Sequence, residues 1–272
     1  MSQVEREIET TGGSVGVTAE RRGGIAIWTI DRPDRRNALS RSVVREIGRL
    51  AREGARDASL RAVIVTGAGD QAFCAGADLK ERQGMVEEEV RDFLSLYRVC
   101  FRDLDAMPVP VIAAIEGVAF GGGLELALSC DLRIASRTAT MGLTETSLGI
   151  IPGAGGTQRL AREIGASKVK ELVLFARRLT AEEALAYGLV NRLAAPGQRA
   201  LEAALEWAQP FLEAAPIAIA AALSAIDAAS DLPLEEGLSF ERACYERTLV
   251  SKDRTEALRA FSEKRKPLFR GE

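Results

Sequence analysis

Short apolar runs alternate with helix-phased segments through the first half of the chain, and this alternation constrains the fold more than any other feature. Ile25-Ala26-Ile27-Trp28-Thr29-Ile30 stops at Asp31-Arg32-Pro33. Residues 61–66 stop at Gly67-Ala68-Gly69-Asp70, residues 111–115 follow Met107-Pro108-Val109-Pro110, and residues 131–135 return after a Gly121-Gly122-Gly123 turn and a helix through Leu128. Runs this short, bounded by Gly and Pro, read as buried strands. Between them Ser40 is placed to cap a helix with Val43, Val44, Ile47, Leu50 and Ala51 on one face. A second helix from about 87 sets Val90, Phe93, Leu94, Tyr97, Phe101 and Leu104 in phase. Such alternation predicts mainly parallel sheets covered by helices, and parallel strands buried on both faces read as apolar throughout. After about 165, Ala/Leu/Glu-rich segments at 165–176, 180–187, 199–214, 216–229 and 235–248 predict helices. The change of composition at Ala195-Pro196-Gly197 divides the chain into a core over 1–196 that carries the active site and a helical oligomerisation region over 197–272.

The chain has no histidine among its 272 residues. That excludes a Ser-His-Asp triad, an HExxH zinc site and a histidine proton shuttle, and leaves acid–base chemistry to carboxylates, Lys, Tyr or Cys. Cys74, Cys100, Cys130 and Cys244 form no CxxC pair and read as buried free thiols of a reducing compartment. No run reaches 18 apolar residues, and Met1–Glu7 resembles neither a secretory signal nor a transit peptide, so the expected location is cytoplasmic. With Lys+Arg 36 against Asp+Glu 39, the net charge of −3 gives no general attraction to nucleic acid. Arg41, Arg45, Arg49, Arg52 and Arg56 line one helical face, but Glu46, Glu53 and Asp57 lie one turn away, as in a solvated, ion-paired surface.

Three glycine clusters stand out: Cys74-Ala75-Gly76-Ala77-Asp78, Gly121-Gly122-Gly123 and Pro152-Gly153-Ala154-Gly155-Gly156. They read either as tight turns or, if two face each other, as an oxyanion hole built from main-chain N–H groups. Glu125 lies one turn into an apolar helix and Glu145 in an apolar stretch. Each is either a helix-start or loop acid in solvent or a buried acid whose pKa is raised toward neutrality, as a general acid or base needs. Gly67-Ala68-Gly69-Asp70-Gln71-Ala72 matches a dinucleotide fingerprint, but Phe73-Cys74-Ala75-Gly76 follows where that motif opens a helix.

The stretches Phe73–Lys80, Gly117–Asp131 and Gly149–Leu160, with the ending Phe261–Pro267, resemble the crotonase superfamily of acyl-CoA enzymes, and among them the enoyl-CoA hydratases of the 3-methylglutaconyl-CoA type. The resemblance implies an α/β fold: a crotonase-like spiral of β-β-α units with a C-terminal helical trimerisation region, assembled as a trimer or as a hexamer that is a dimer of trimers. It implies Glu125 and Glu145 as catalytic residues and the backbone N–H groups of Ala77 and Gly122 as the oxyanion hole. It carries coenzyme A and substrate contacts onto Ala75, Ala77, Asp78, Leu79, Lys80, Gly121 and Gly122, and onto Tyr245 and Lys264 near the adenine end. The implied reaction is reversible syn addition of water to a 2-enoyl-CoA thioester, 3-methylglutaconyl-CoA giving 3-hydroxy-3-methylglutaryl-CoA in leucine degradation. It needs no metal and no cofactor beyond the coenzyme A of the substrate. A general hydratase acting on crotonyl-CoA is the nearest alternative, then an isomerase, then an RNA-binding or non-catalytic assembly protein. RNA-binding members of this branch have a lysine-rich first helix, unlike this one. Met85, Val86 and Phe120 are candidates to shape the pocket, and a carboxylated acyl group would need a cationic or polar partner, for which Arg82 or another nearby arginine is the candidate.

Overall fold

The computed structural model describes residues 10–11 and 15–272, with side chains from 15 onward. Its strands are β1 (Thr10–Thr11), β2 (Val17–Arg22), β3 (Ile25–Ile30), β4 (Ala62–Gly67), β5 (Ala72–Cys74), β6 (Val111–Ile115), β7 (Val118–Phe120), β8 (Leu132–Ala135), β9 (Thr140–Gly142), β10 (Leu179–Thr180) and β11 (Arg192–Leu193). Its helices are α1 (Arg41–Gly54), α2 (Leu79–Arg82), α3 (Glu87–Asp105), α4 (Gly122–Leu128), α5 (Gly156–Ile164), α6 (Ala166–Leu174), α7 (Ala181–Tyr187), α8 (Ala200–Ala208), α9 (Pro216–Ala228), α10 (Leu234–Leu249) and α11 (Lys252–Glu263).

A seven-stranded sheet has the order β1-β2-β3-β4-β6-β8-β11, parallel from β3 onward, with an antiparallel edge at β1 and β2. A four-stranded sheet, β10-β9-β7-β5, lies beside it. Three successive turns of chain each place one strand in the large sheet and the next in the small one before a helix: β4-β5, β6-β7 and β8-β9. The chain is therefore a spiral of β-β-α units, as the resemblance implies.

Burial explains the strand composition. Every residue of β4 and β6 is buried, since helices cover one face of the large sheet and α8 the other. The Ser40 hydroxyl accepts from Val43 N at 3.3 Å and starts α1, whose Val43, Val44, Ile47 and Leu50 are buried. Each such side chain contributes about 1.5–3 kcal/mol of apolar burial. Ala200, Ala203, Ala204 and Ala208 of α8 pack on Ile25, Ile64, Ile112 and Ile134, so this helix joins the sheet although it lies past residue 196. Beyond it, α9, α10 and α11 form a helical region with exposed apolar side chains, among them Leu234, Val250 and Phe261. No single helix among the described residues is long and apolar enough to cross a membrane.

Three of the five arginines of the basic stripe are ion-paired among the described residues, partly in ways the spacing does not reveal. Arg49 pairs with Glu46 and Glu53 one turn away. Arg52 and Arg41 instead reach Asp103 on α3 and Glu89, and Asp57 turns to Arg21. The Gly67 turn opens no helix: a Cβ there would lie 2.3 Å from Phe73 O, and buried Asn37 donates to Ala72 O at 2.6 Å, folding the chain directly into β5. All four cysteines are free and buried, and burial pushes Cys74 and Cys100 up to about 12.

Candidate active site

Two glycine turns meet back to back where the small sheet ends. Gly76 has φ +102, and a Cβ on it would come within 2.9 Å of Phe120 O; a Cβ on Gly123 would lie 2.1 Å from Cys74 O. Only glycine permits this approach of main chain to main chain. In the first turn, Ala75 N donates to Arg36 O and Asp78 N to Leu39 O. Ala77 N, between them, has no partner among the described residues. Gly122 N opens α4 and is one of the donors a helix start leaves unbonded. The space for a Cβ on Gly122 lies 3.7 Å from Ala77 N, so the two unpaired donors stand side by side. The hydroxyl of Tyr97 on α3 is equally near, donating to Leu39 O at 3.4 Å.

A cleft of about 720 Å³ opens over these donors. Glu125 and Glu145 both line it, together with Ala77, Gly122 and an apolar wall that includes Leu79, Leu94, Phe120, Leu148 and Ile151. Glu125, 3 % exposed, has Oε1 clasped by two backbone donors, Ala154 N at 2.8 Å and Gly156 N at 2.7 Å. Burial raises its pKa and those two N–H groups partly offset the rise. Glu145, 9 % exposed, starts a 3₁₀ turn, with its Oε1 close to Gly121. Its Oε2 is buried with no hydrogen-bond partner among the described residues. Burial lifts this carboxyl to about 7, and the negative charge of Glu125 adds to the rise. Two acids thus share one cleft, one fixed by backbone donors and one held ready to carry a proton at neutral pH.

The other expected contacts divide. Ala75, Leu79 and Gly121 line the cleft, as does Phe120. Asp78 lies just outside it. Burial opposes its charge, but Arg32 at 2.8 Å and the N–H groups of Lys80 and Glu81 hold its carboxyl below the usual range and cap α2. Lys80, Met85 and Val86 do not line the cleft, and neither do Tyr245 on α10 and Lys264 after α11. Two contributors were not legible in the sequence. Tyr97 falls in phase with apolar neighbours and reads as core. The Pro152–Gly156 cluster reads as an oxyanion turn, whereas Ala154 and Gly156 clasp Glu125. Among the described residues no three Cys, Asp or Glu side chains converge as metal ligands do. A larger cleft of about 1130 Å³, between α5 and α9, contains neither glutamate.

Residues 20–272 match the profile of the enoyl-CoA hydratase/isomerase family. The chain is 48 % identical over 247 residues to YngF of Bacillus subtilis, whose name places it only among enoyl-CoA hydratase/isomerases; the match covers 91 % of this chain and 95 % of that one. It is 45 % identical over 256 residues to the mitochondrial methylglutaconyl-CoA hydratase of Mus musculus, covering 93 % and 82 %. The crystal structure of an enoyl-CoA hydratase from Bacillus anthracis superposes with a TM-score of 0.92 at 44 % identity, covering 94 % of this chain and all of that one.

Proposed function

The chain belongs to the enoyl-CoA hydratase/isomerase family, and from that premise we propose that it is a hydratase, adding water reversibly to 3-methylglutaconyl-CoA to give 3-hydroxy-3-methylglutaryl-CoA. The observation that carries the reading is the pair of buried carboxyls, Glu125 and Glu145, in one cleft with two unpaired main-chain donors. The thioester oxygen accepts from Ala77 N–H and Gly122 N–H, which stabilise the negative charge that develops there as water adds to the β-carbon. Removing one such donor typically lowers the rate by about 10²–10³. With Oε1 of Glu125 held by Ala154 and Gly156, Oε2 is the oxygen that orients the water and takes its proton. Protonated Glu145 delivers a proton to the α-carbon. Both acids serve one face of the substrate, which makes the addition syn. In dehydration Glu145 removes the α-proton and Glu125 protonates the departing hydroxyl.

An isomerase needs one acid to move a proton between two carbons, so the second buried carboxyl favours hydration. No metal and no cofactor beyond the substrate's own coenzyme A enters these steps. Methylglutaconyl specificity is supported by the identity to the mouse enzyme named for it. Asp78 and Lys80 would act at the coenzyme A end. Tyr245 and Lys264 would reach the adenine only across a contact between chains, in a homo-trimer or hexamer. The exposed Leu234 (75 %), Val250 (87 %) and Phe261 (86 %) favour such self-association. The reading puts the reaction in the cytoplasm, in keeping with four unpaired thiols. The test is loss of conjugated-thioester ultraviolet absorbance with 3-methylglutaconyl-CoA and crotonyl-CoA side by side. Preference for the branched acid is expected; no loss with either substrate rejects the hydratase.

A further inference from the structure

Arg82 is the one cationic side chain among the residues that line the catalytic cleft. It ends α2, half-buried, and among the described residues its guanidinium has neither an ion pair nor a hydrogen bond. Its neighbours are different: Arg32 pairs with Asp78, and Arg41 with Glu81 and Glu89. Arg178, stacked 4.6 Å from the Phe120 ring, lies outside the cleft. Arg82 therefore presents an unmatched charge to a cavity walled largely by Leu79, Leu94, Tyr97, Leu148 and Ile151. A half-buried guanidinium without a protein partner is free to form a charge-assisted, two-point pair with an incoming carboxylate. Tyr97, whose hydroxyl stands beside Gly122, lines the same cleft as Arg82, as do the donors Ala77 and Gly122.

We propose that Arg82 is the specificity-determining residue for acyl groups that end in a carboxylate, pairing with that carboxylate while Ala77 and Gly122 hold the thioester. The role rests on the hydratase reading above. In a 2-enoyl thioester with a carboxylate two bonds past the β-carbon, the anion lies close to the reacting atoms and beyond the reach of the coenzyme A phosphates. The planar fork of Arg suits two-point pairing, which Lys cannot reproduce.

The same guanidinium would also attract a phosphate of coenzyme A, and the experiment separates the two sources. The ratio of kcat/KM for 3-methylglutaconyl-CoA to that for crotonyl-CoA is compared in the wild type, Arg82→Met and Arg82→Lys. Both substrates carry the same coenzyme A, so the ratio is blind to phosphate pairing. In Arg82→Met the ratio should fall about 10- to 100-fold, the span of a charge-assisted pair in a sheltered site, and Arg82→Lys should fall between. An unmoved ratio overturns the proposal, whether both rates drop or neither does. Calorimetric binding of glutaryl-CoA against butyryl-CoA gives a second readout that needs no turnover. There, too, the preference should fall in Arg82→Met, and an unchanged preference overturns the assignment. A wild type that hydrates neither substrate yet shows this Arg82-dependent preference supports Arg82 and rejects the hydratase.

Discussion

Glu145→Gln should make the protein both inactive and more stable, and the stability gain should appear only above the ordinary carboxyl range. In the folded chain Glu145 loses its proton near pH 7, against 4.5 for an ordinary glutamate, because its Oε2 is buried without a donor. The folded state thus holds the proton more tightly than the unfolded chain, and raising pH favours unfolding throughout the window from about 4.5 to about 7. Integrated between pH 5 and pH 8, that difference amounts to about 2.5 kcal/mol. Solvent entering the cleft reduces it to roughly 1–2 kcal/mol. Glutamine carries no charge, so the variant escapes this loss. Urea unfolding of wild type and variant at both pH values measures it, and taking the difference between the two pH values cancels any fixed cost of the amide. Turnover should fall at least about 10²-fold, with binding of a product-like thioester little changed. A stability difference that is the same at pH 5 and pH 8 refutes the raised carboxyl. Near-normal turnover refutes its role in proton transfer.

Four further outcomes follow from the same geometry. Hydration kcat/KM should decline as pH rises through about 7, where Glu145 loses the proton it must give, and dehydration kcat/KM should decline with it, because both directions use the same singly protonated pair of glutamates and the overall reaction releases no proton; a hydration profile flat through pH 7 would contradict proton delivery by Glu145. Gly122→Pro should fold, because proline is accepted at the first helical position, yet lose at least about 10²-fold in turnover with its N–H; a folded, active variant removes Gly122 from the oxyanion hole. Gly123→Ala should lose about 3 kcal/mol or more, since its Cβ would meet Cys74 O at 2.1 Å and that oxygen is main chain; unfolding at the wild-type denaturant concentration would disprove the contact. Arg133→Met should lose about 3 kcal/mol in the same assay, because the buried guanidinium serves the carbonyls of Cys130 and Leu189, and wild-type stability would show these carbonyls to be satisfied otherwise.

The long elements were legible because their signals are strong. The runs at 25–30 and 111–115 are strands, and the segment from 87 is a helix with Phe93, Tyr97, Phe101 and Leu104 buried as phased. The small sheet was not legible, since β5, β7 and β9 have three residues each and the glycine turns that flank them mask any period. β2 was missed because Val17-Thr18-Ala19-Glu20-Arg21-Arg22 has only one fully buried residue and sits near the sheet's antiparallel edge. The predicted helix over 199–214 divides into α8 and a 3₁₀ turn at Gln209–Glu213, where Pro210 cannot continue the α-helical hydrogen bonding. At the site, the apolar surroundings of Glu125 and Glu145 announced their burial. Their convergence did not follow from a spacing of 20 residues, because it depends on β8 and β9 crossing between the two sheets. The unpaired state of Arg82 was equally hidden, for it depends on Asp78 and Glu81 being engaged by other arginines.

The donors at Ala77 and Gly122 are peptide groups, and this governs how the protein can diverge. Almost any replacement at either position keeps the N–H, so on the proposed mechanism the charge-stabilising part of the reaction is shielded from most point mutations. Proline alone deletes it, one base change from an alanine codon and two from a glycine codon. Side chains such as Leu94, Leu148 and Ile151, and Arg82 among them, sit under no such protection and can be exchanged while the peptide donors stay in place. On the proposed mechanism, new acyl preferences are therefore reachable by mutation of the wall without loss of the peptide donors.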